Sequence, residues 1–172
     1  RMLGKELDDM ASIKNDGENA KADMGTPVLE ARGLSSTEGI KPFDFAIHKG
    51  EVNGFTGLLG SGRSECVRAI FGADKKTGGQ VFMDGRKVRI NKPLDAMKLG
   101  IGYLPEDRKQ DGIVGDLSVR ENIILALQVM KGFAKPISRA QAEAYADEYI
   151  RLLEIKTASA DTPIKQLSGG NQ

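Results

Sequence analysis

The sequence predicts an α/β fold with a helical layer towards its C-terminus, and three observations support that fold class. Residues 42–52 alternate apolar and polar side chains with a period of two, which is typical of a half-buried strand. A glycine-rich stretch, residues 57–64, leads into a helix-like segment, residues 63–71. Residues 118–155 contain two amphipathic segments, each with a serine at its start.

The elements before residue 117 follow from local signals. We expect strands over 27–34 and 42–52, and a strand over 51–57 that leads into the glycine loop. A helix over 63–71 should follow, and then a hairpin over 78–90 that turns at Asp84–Gly85. A short helix over 93–100 and a short buried strand over 101–105 complete this part of the chain. The short helix has Pro93 at its start and Gly100 after its end, the usual places for these residues. Residues 106–116 are charged and glycine-bearing, so we expect a loop.

The helical layer begins at residue 118. Ser118 and Glu121 form a capping-box pattern for a helix over 118–130. A second helix is expected over 138–155, with an apolar stripe of Ala142, Tyr145, Ala146, Tyr149 and Leu152 or Leu153. The chain then stops at a serine-glycine turn, and we expect it to be a fragment because a domain rarely ends on such a segment.

The composition argues against several functional classes. With 25 Lys and Arg against 24 Asp and Glu, the net charge of +1 provides no basic surface for nucleic acid. One cysteine and one histidine are too few for a disulfide framework, a zinc site or a His-based triad within the chain. No apolar run approaches the roughly 18 residues of a membrane span.

The glycine loop is the first candidate site. Residues 57–64, GLLGSGRS, follow the phosphate-loop spacing G-x-x-x-x-G-K-[ST], with Arg63 in place of lysine. Such a loop turns successive backbone N–H groups towards phosphate oxygens, and the N-terminus of the following helix adds partial positive charge. The candidate phosphate-binding residues are Gly57, Leu58, Leu59, Gly60, Ser61, Gly62, Arg63, Ser64 and Glu65.

Arg63 leaves two interpretations open. Its guanidinium is longer and forked, so it can pair with phosphates but not from the position that a lysine would occupy. The stretch is alternatively an ordinary strand–turn–helix corner. The dinucleotide fingerprint G-x-G-x-x-G is absent from this loop, which argues against a nicotinamide oxidoreductase.

The second candidate motif is LSGGNQ, residues 167–172. Its serine and two glycines predict an exposed anion-binding turn at a helix start. By itself the motif is better read as a flexible serine-glycine turn. In combination with the glycine loop and an intervening helical layer it is far more specific.

Together these motifs resemble the ATP-binding cassette of ABC transporters. LSGGNQ looks like the signature motif, and its last two residues resemble the form found in bacterial monosaccharide importers of the ribose, galactose or xylose type. One chain of that family usually carries two cassettes in tandem. GLLGSGRSE (57–65) and GIGYLPEDRKQDG (100–112) look like the second cassette, and RMLGKEL (1–7) looks like the tail of the first.

The resemblance implies a P-loop NTPase-type core with N-terminal antiparallel strands and a helical subdomain, lacking the C-terminal part of the core. Residues 1–26 would be a linker or the tail of a preceding cassette, 27–116 a partial nucleotide-binding core, and 117–172 the helical subdomain ending at the signature. The implied ligands are ATP and Mg²⁺. Ser64 and Glu106 would face the metal, and the signature residues Leu167, Ser168, Gly169, Gly170, Asn171 and Gln172 would contact the ATP of a partner cassette.

The resemblance also implies a transport ATPase that couples ATP binding and hydrolysis to sugar import at the cytoplasmic face of the bacterial inner membrane. Its partners would be another cassette of the same chain or a second copy, a transmembrane permease and, indirectly, a periplasmic sugar-binding protein, with no nucleic acid. The family's Walker B aspartate, catalytic glutamate and switch histidine follow the signature. We therefore expect no catalytic residue within this chain and no ATPase activity of the fragment itself.

Two alternatives stay open. A regulatory cassette that binds ATP and hydrolyses it poorly is favoured by Arg63 and by Glu106, which stands where the family usually has glutamine. A soluble cassette ATPase of DNA repair or translation is disfavoured by the near-zero net charge and the NQ ending. Apart from Glu106, the charged run at 106–109 is alternatively a solvated cluster with no binding role.

Overall fold

The computed structural model describes residues 25–132 and 134–172. Apart from its last two residues, the predicted N-terminal linker or tail lies outside the described residues. The chain divides between Asn91 and Lys92 into two compact units, each with its own set of elements.

The first unit contains a four-stranded antiparallel sheet and one helix. The strands are β1 (Leu29–Ser36), β2 (Phe43–Ile47), β3 (Lys76–Met83) and β4 (Arg86–Val88), in the spatial order β2-β1-β3-β4. Helix α1 (Arg63–Phe71) lies between β2 and β3 in the chain. The glycine loop thus connects an edge strand to the only helix among the described residues of this unit.

The β3–β4 hairpin turns where the sequence predicts. Asp84 and Gly85 both have positive φ angles, 47° and 73°, which a two-residue type I′ turn requires. Met83 pairs with Arg86 across this turn, so the register of the hairpin is fixed at its tip.

Helix α1 packs on β1, and this packing positions the glycine loop. Ala69 and Ile70 are buried on the helix, and Ala31 and Leu34 are buried on the strand. Burial of one leucine side chain contributes about 1.5–3 kcal/mol. The end of α1 is further held by an ion pair of 2.9 Å from Arg68 to the buried carboxylate of Asp74.

The second unit is built from helices and turns. Its elements are α2 (Pro93–Lys98), a π-helical turn (Arg108–Gly112), α3 (Val119–Lys131), α4 (Arg139–Leu152) and a 3₁₀ turn (Ile164–Gln166). Its core contains the buried Val119, Ile164 and Leu167, with Ile113, Ile123, Ile150 and Ile155 packed against it. No helix in the two described ranges is both long enough and apolar enough to cross a membrane.

The caps predicted for the helices are present. The Ser118 hydroxyl accepts from the N–H of Glu121 at 3.2 Å, and the Glu121 carboxylate accepts from the N–H of Ser118 at 2.7 Å. The Ser138 hydroxyl caps α4 by accepting from the N–H of Gln141. Helix α2 begins at Pro93, and the N–H of Gly100 bonds to the carbonyl of Met97 beyond the helix end.

Two predicted strands are wrong. Residues 51–57 and 101–105 have no strand structure. Leu104, in the strand expected to be buried, is 94% exposed, and Val52 is equally exposed. A strand exists only where a neighbouring strand completes its hydrogen-bond ladder, and neither segment has such a neighbour among the described residues. The alternation of residues 42–52 likewise produces a strand only over 43–47, where β1 supplies the partner.

Two further expectations are corrected in the second unit. The charged segment predicted as a loop contains the π-helical turn, which Asp107 caps by accepting from the N–H groups of Lys109 and Gln110. Helix α4 ends at Leu152, and its predicted stripe is only partly buried. Ala142 and Ala146 are buried, whereas the stripe's four larger members, Tyr145, Tyr149, Leu152 and Leu153, are exposed. Ile150 packs on the core in their place.

Candidate functional site

The glycine loop opens directly into α1. Gly62 is the residue before the helix and has a φ angle of 89°, a left-handed conformation that favours glycine. Gly60 has a φ angle of 78°. The first helical hydrogen bond runs from the N–H of Cys66 to the carbonyl of Gly62, and no side chain caps this end of α1. The helix start is therefore shaped as a place where backbone donors can meet an anion.

The loop closes tightly before the helix. The N–H of Ser61 donates to the carbonyl of Leu58 at 3.0 Å. A Cβ added to Gly57 would overlap Ser61, lying 2.9 Å from its Cβ and in collision with its hydroxyl oxygen. Glycine is thus required at position 57 because the Ser61 side chain leaves no room for a Cβ atom there, and not because of the φ angle of Gly57.

The remaining loop residues divide between solvent and helix. Leu58 and Leu59 are 86% and 98% exposed, so neither contributes to a core among the described residues. Arg63 and Ser64 are the first two residues of α1, and Glu65 follows in its first turn. The hydroxyl of Ser64 and the guanidinium of Arg63 therefore originate at the helix end that carries partial positive charge.

A cleft of about 460 Å³ lies beside the loop. One wall comes from Ile40, in the segment between β1 and β2, and from Phe43, the first residue of β2. The other wall comes from Gly60, Ser61 and Gly62. A Cβ added to Gly62 would lie 3.2 Å from the Ile40 side chain, so a larger residue would push into this cleft. Residues 35–42 contain no aromatic side chain, so Phe43 is the first aromatic residue that this wall offers.

Charge in the cleft is mixed. Glu38 and Glu65 are among its lining residues, together with Lys41. Cys66 also lines it, and burial, followed by the negative charge of Glu65, raises the pKa of its thiol. The thiol therefore stays protonated at neutral pH and adds no negative charge that would repel a phosphate.

The predicted magnesium residues lie in different units. Ser64 belongs to the first unit, and Glu106 is an exposed residue of the second. No group of three or more His, Cys, Asp or Glu side chains that could hold a metal occurs among residues 25–132 and 134–172. Mg²⁺ prefers oxygen ligands and takes most of them from waters and phosphates, so it needs few from the protein. A single hydroxyl such as that of Ser64 is therefore a suitable protein ligand. The joint site of Ser64 and Glu106 stays a prediction.

The second candidate site is the turn at residues 168–171. The carbonyl of Ser168 accepts from the N–H groups of Asn171 at 2.8 Å and Gln172 at 3.2 Å, which is the hydrogen-bond pattern of a single helical turn. Ser168, Gly169 and Gly170 are exposed, whereas Leu167 is buried in the core of the second unit. Leu167 thus anchors a turn whose small residues face outwards.

Two side chains fasten this turn to its surroundings. The Gln172 amide donates to the carbonyl of Leu167 at 2.9 Å. The Asn171 amide donates to the Ser168 hydroxyl at 2.9 Å and accepts from the backbone N–H of Lys156 at 2.6 Å. The outward-facing serine is therefore held from inside the unit by a defined set of hydrogen bonds.

Arg108 is a residue near this turn that the sequence did not single out. Its guanidinium lies 3.8 Å from where a Cβ on Gly169 would be, so a cation stands beside the exposed glycines. The two residues are 61 positions apart (169 − 108). Their proximity depends on how the π-helical turn packs, and no spacing rule in the sequence indicates it.

The chain belongs to the ABC transporter family, whose family model matches residues 40–172. It is 43% identical over 172 residues to the fructose import ATP-binding protein FruK of Bifidobacterium longum, covering 99% of this chain and 34% of the relative. It is 44% identical over 171 residues to the galactofuranose transporter ATP-binding protein YtfR of Escherichia coli K12, with the same coverage of both chains.

A ribose import ATP-binding protein of Chelativorans is 40% identical over 91% of this chain and 31% of the relative. The chain thus spans about a third of the length of the curated relatives it matches. The predicted resemblance to ATP-binding subunits of sugar importers is confirmed.

Solved structures show the same fold. The ATP-binding cassette MJ0796, in a dimeric post-hydrolysis state bound to ADP and Pi, has a TM-score of 0.64 and 25% identity, covering 83% of this chain and 64% of that one. A second dimeric structure of MJ0796 has a TM-score of 0.63 at the same identity and coverage. The predicted cassette fold, with an antiparallel sheet and helices, is confirmed.

Proposed function

We propose that this chain is the nucleotide-binding part of an ATPase subunit that drives import of a monosaccharide. The observation that carries the proposal is the helix start at Gly62, where a closed glycine loop meets an uncapped helix N-terminus beside a cleft. Support for sugar as the cargo comes from relatives named for import of fructose, galactofuranose and ribose.

The proposed role of the glycine loop is to hold the phosphates of ATP. Backbone N–H groups at residues 60–64 and the partial positive charge of α1 would stabilise the phosphate oxygens, and the Arg63 guanidinium would add a cation. Phe43, in the cleft wall, is a candidate for contact with the adenine base. Mg²⁺, when bound, would neutralise phosphate charge, with the Ser64 hydroxyl and Glu106 as the proposed residues facing it.

The turn at residues 168–171 is proposed to act on a second cassette. Its exposed serine and glycines, with Arg108 beside them, form a surface suited to the terminal phosphate of a nucleotide bound elsewhere. Two cassettes would then close around ATP and reopen after hydrolysis, a two-state motion biased by ligand. The partner is another cassette of the same polypeptide or a second copy.

The wider setting is part of the same proposal. An importer needs a transmembrane permease, so the cassette would work at the cytoplasmic face of the bacterial inner membrane. A periplasmic sugar-binding protein would act indirectly through that permease. Catalytic carboxylates are proposed to lie outside these 172 residues.

Substitution of Gly62 tests the phosphate loop. In the protein at the full length of its relatives, Gly62→Val should abolish ATP binding at this loop, because valine cannot readily adopt a φ angle of 89° and its side chain would reach Ile40 and the cleft. Isothermal titration calorimetry measures the affinity.

Gly50→Val is the matched control. Gly50 also has a positive φ angle, 77°, and a Cβ there would meet nothing within 4 Å. The control should suffer comparable backbone strain and keep ATP affinity. Unchanged affinity in Gly62→Val would show that the loop does not hold phosphate.

A regulatory, poorly hydrolysing cassette is the second candidate function. Arg63 favours it, because a forked guanidinium at the first residue of α1 differs in reach from the lysine of the usual loop. Turnover in Arg63→Lys, compared with that of the parent, separates the two candidates.

A further inference from the structure

The Asn171 side chain joins two segments of the second unit. Its Oδ1 accepts from the backbone N–H of Lys156 at 2.6 Å, and its Nδ2 donates to Oγ of Ser168 at 2.9 Å. Lys156 lies four positions beyond Leu152, the last residue of α4. One amide therefore connects the end of a helix to the exposed serine of the turn.

The orientation of this amide follows from its partners. A backbone N–H can only donate, so the atom facing Lys156 must be the amide oxygen. The NH₂ group must then face Ser168, and NH₂ can only donate. The hydrogen-bond network thus fixes which way the Asn171 amide points.

The same reasoning fixes the role of the serine hydroxyl. A hydroxyl has one proton to donate and lone pairs that accept. Because Oγ of Ser168 accepts from Asn171, its own proton cannot point at Asn171 and remains for another acceptor. Within the described part of the chain this hydroxyl makes no other hydrogen bond, and Ser168 is exposed. The Ser168 hydroxyl can therefore donate its proton to an acceptor outside the unit.

We propose that Asn171 is a positioning residue, which holds the Ser168 hydroxyl as a donor to a phosphate oxygen of the nucleotide on a partner cassette. Asn171 does not itself touch that nucleotide, which differs from the direct contact implied by the family resemblance. Through Lys156 it ties the serine's orientation to the end of α4. The inference rests on the proposed function of the turn at residues 168–171.

A double-mutant cycle tests this role in the protein at the full length of its relatives. The variants are Ser168→Ala, Asn171→Ala and the combination of both. The readout is cassette pairing with a non-hydrolysable ATP analogue, followed by sedimentation velocity, which reports both closure within one polypeptide and association of two copies. Each single variant should raise the analogue concentration for half-maximal pairing by roughly 10-fold or more, the loss expected for a hydrogen bond to a charged group. The double variant should be no worse than Ser168→Ala, because Asn171 acts through that hydroxyl.

A second variant preserves the hydrogen bond from the Lys156 N–H. Asn171→Asp keeps an acceptor for the Lys156 N–H but presents an acceptor to Ser168, which draws the hydroxyl proton inwards. Pairing should weaken at least as much as in Asn171→Ala, while binding of the analogue to the monomer's own loop stays unchanged. Thr157→Ala is the control, since it removes an exposed hydrogen bond in the same segment, from the Thr157 hydroxyl to the Ser159 carbonyl.

The outcomes separate the inference from the proposed function. If Ser168→Ala pairs as well as the parent, the proposed role of the turn is wrong and the positioning role falls with it. If Ser168→Ala weakens pairing and the double variant weakens it further by the full loss seen in Asn171→Ala alone, Asn171 does not act through the serine. Pairing by Asn171→Asp at the parent's analogue concentration would also overturn the positioning role.

Discussion

Arg63 occupies a position at which small differences in side-chain geometry matter. It is the first residue of α1, immediately after the left-handed Gly62. A lysine delivers a compact charge on a flexible stem, whereas arginine delivers a planar fork that bonds to two oxygens at once. Arginine can therefore retain phosphate affinity while placing its charge differently for the reaction.

Substitutions at Arg63 distinguish binding from turnover. Arg63→Ala should weaken ATP binding by about 1.5–3 kcal/mol, the range for hydrogen bonds to charged groups. Arg63→Lys should preserve affinity, and a rise in turnover would indicate that arginine keeps this site slow. Calorimetry and a phosphate-release assay on the full-length protein measure the two quantities. Equal affinity in the parent and both variants would show that Arg63 points away from the phosphates.

At the residue level, the sequence is informative where spacing along the chain carries the information. The glycines of the loop and the serine of the turn are recognisable because their chemistry depends on near neighbours in the chain. Phe43 in the cleft wall and Arg108 beside Gly169 were missed because both placements depend on tertiary packing. The link between Asn171 and Lys156 crosses 15 positions and has no sequence signal for the same reason.

Helix α3 illustrates how a single cap stabilises an element. The carboxylate of Glu121 accepts from both the hydroxyl and the backbone N–H of Ser118. These hydrogen bonds, the hydroxyl first, lower the pKa of Glu121 from its ordinary value of 4.5. Because the folded pKa is the lower one, the charged carboxylate stabilises the fold above pH 4.5, and that stability is lost as the pH falls through the folded pKa.

The pH dependence of stability checks this cap. Glu121→Gln keeps a side-chain acceptor for the Ser118 N–H but removes the charge, so it should destabilise the unit at pH 7 by about 0.3–1 kcal/mol, the range for a charged group near a helix N-terminus. The difference from the parent should shrink as the pH falls below 4.5, because the parent then loses the same charge. Urea unfolding followed by circular dichroism at several pH values measures the effect. Glu148→Gln, on the exposed side of α4, should show no comparable loss at pH 7, and a constant Glu121→Gln deficit across the pH range would contradict the account.

At the level of elements, local signals predicted structure well and non-local ones did not. The Asp84–Gly85 turn and the caps at Ser118 and Ser138 formed as expected, because each depends on residues within four positions. The strands expected at 51–57 and 101–105 failed because a strand needs a partner from elsewhere in the chain. The apolar residues of 101–105 and the place of 51–57 directly before the glycine loop indicated strands, but neither feature supplies the partner.

Large apolar side chains are exposed in both units of the described chain. Val52, Leu58, Leu59 and Leu104 are each more than 85% exposed. Water-exposed leucine and valine side chains favour association with any surface that covers them. We therefore expect the 172-residue chain to be marginally stable as a monomer or to be covered by a second copy in solution.

The 172-residue chain is also expected not to hydrolyse ATP. Hydrolysis needs a metal held from two sides and a positioned water, and Ser64 and Glu106 would supply only part of that set. A magnesium-dependent ATPase assay on the purified chain, with its mass in solution from light scattering, measures both expectations. Turnover that disappears in Gly62→Val would show that the chain carries its own catalytic carboxylate, whereas turnover that persists would indicate a contaminating enzyme.

The hydrogen bond from the Lys156 N–H to the Asn171 side chain makes one backbone amide a reporter of the turn at residues 168–171. Lys156 is exposed and lies outside any helix or strand, so without this bond its amide proton would exchange with solvent rapidly. Its exchange rate therefore records how much of the time the Asn171 amide is in place. A partner that binds the Ser168 hydroxyl would slow hydrogen exchange at the Lys156 amide. A structural change in the segment after α4 that breaks the bond to Lys156 would in turn make the position of the Ser168 hydroxyl less well defined.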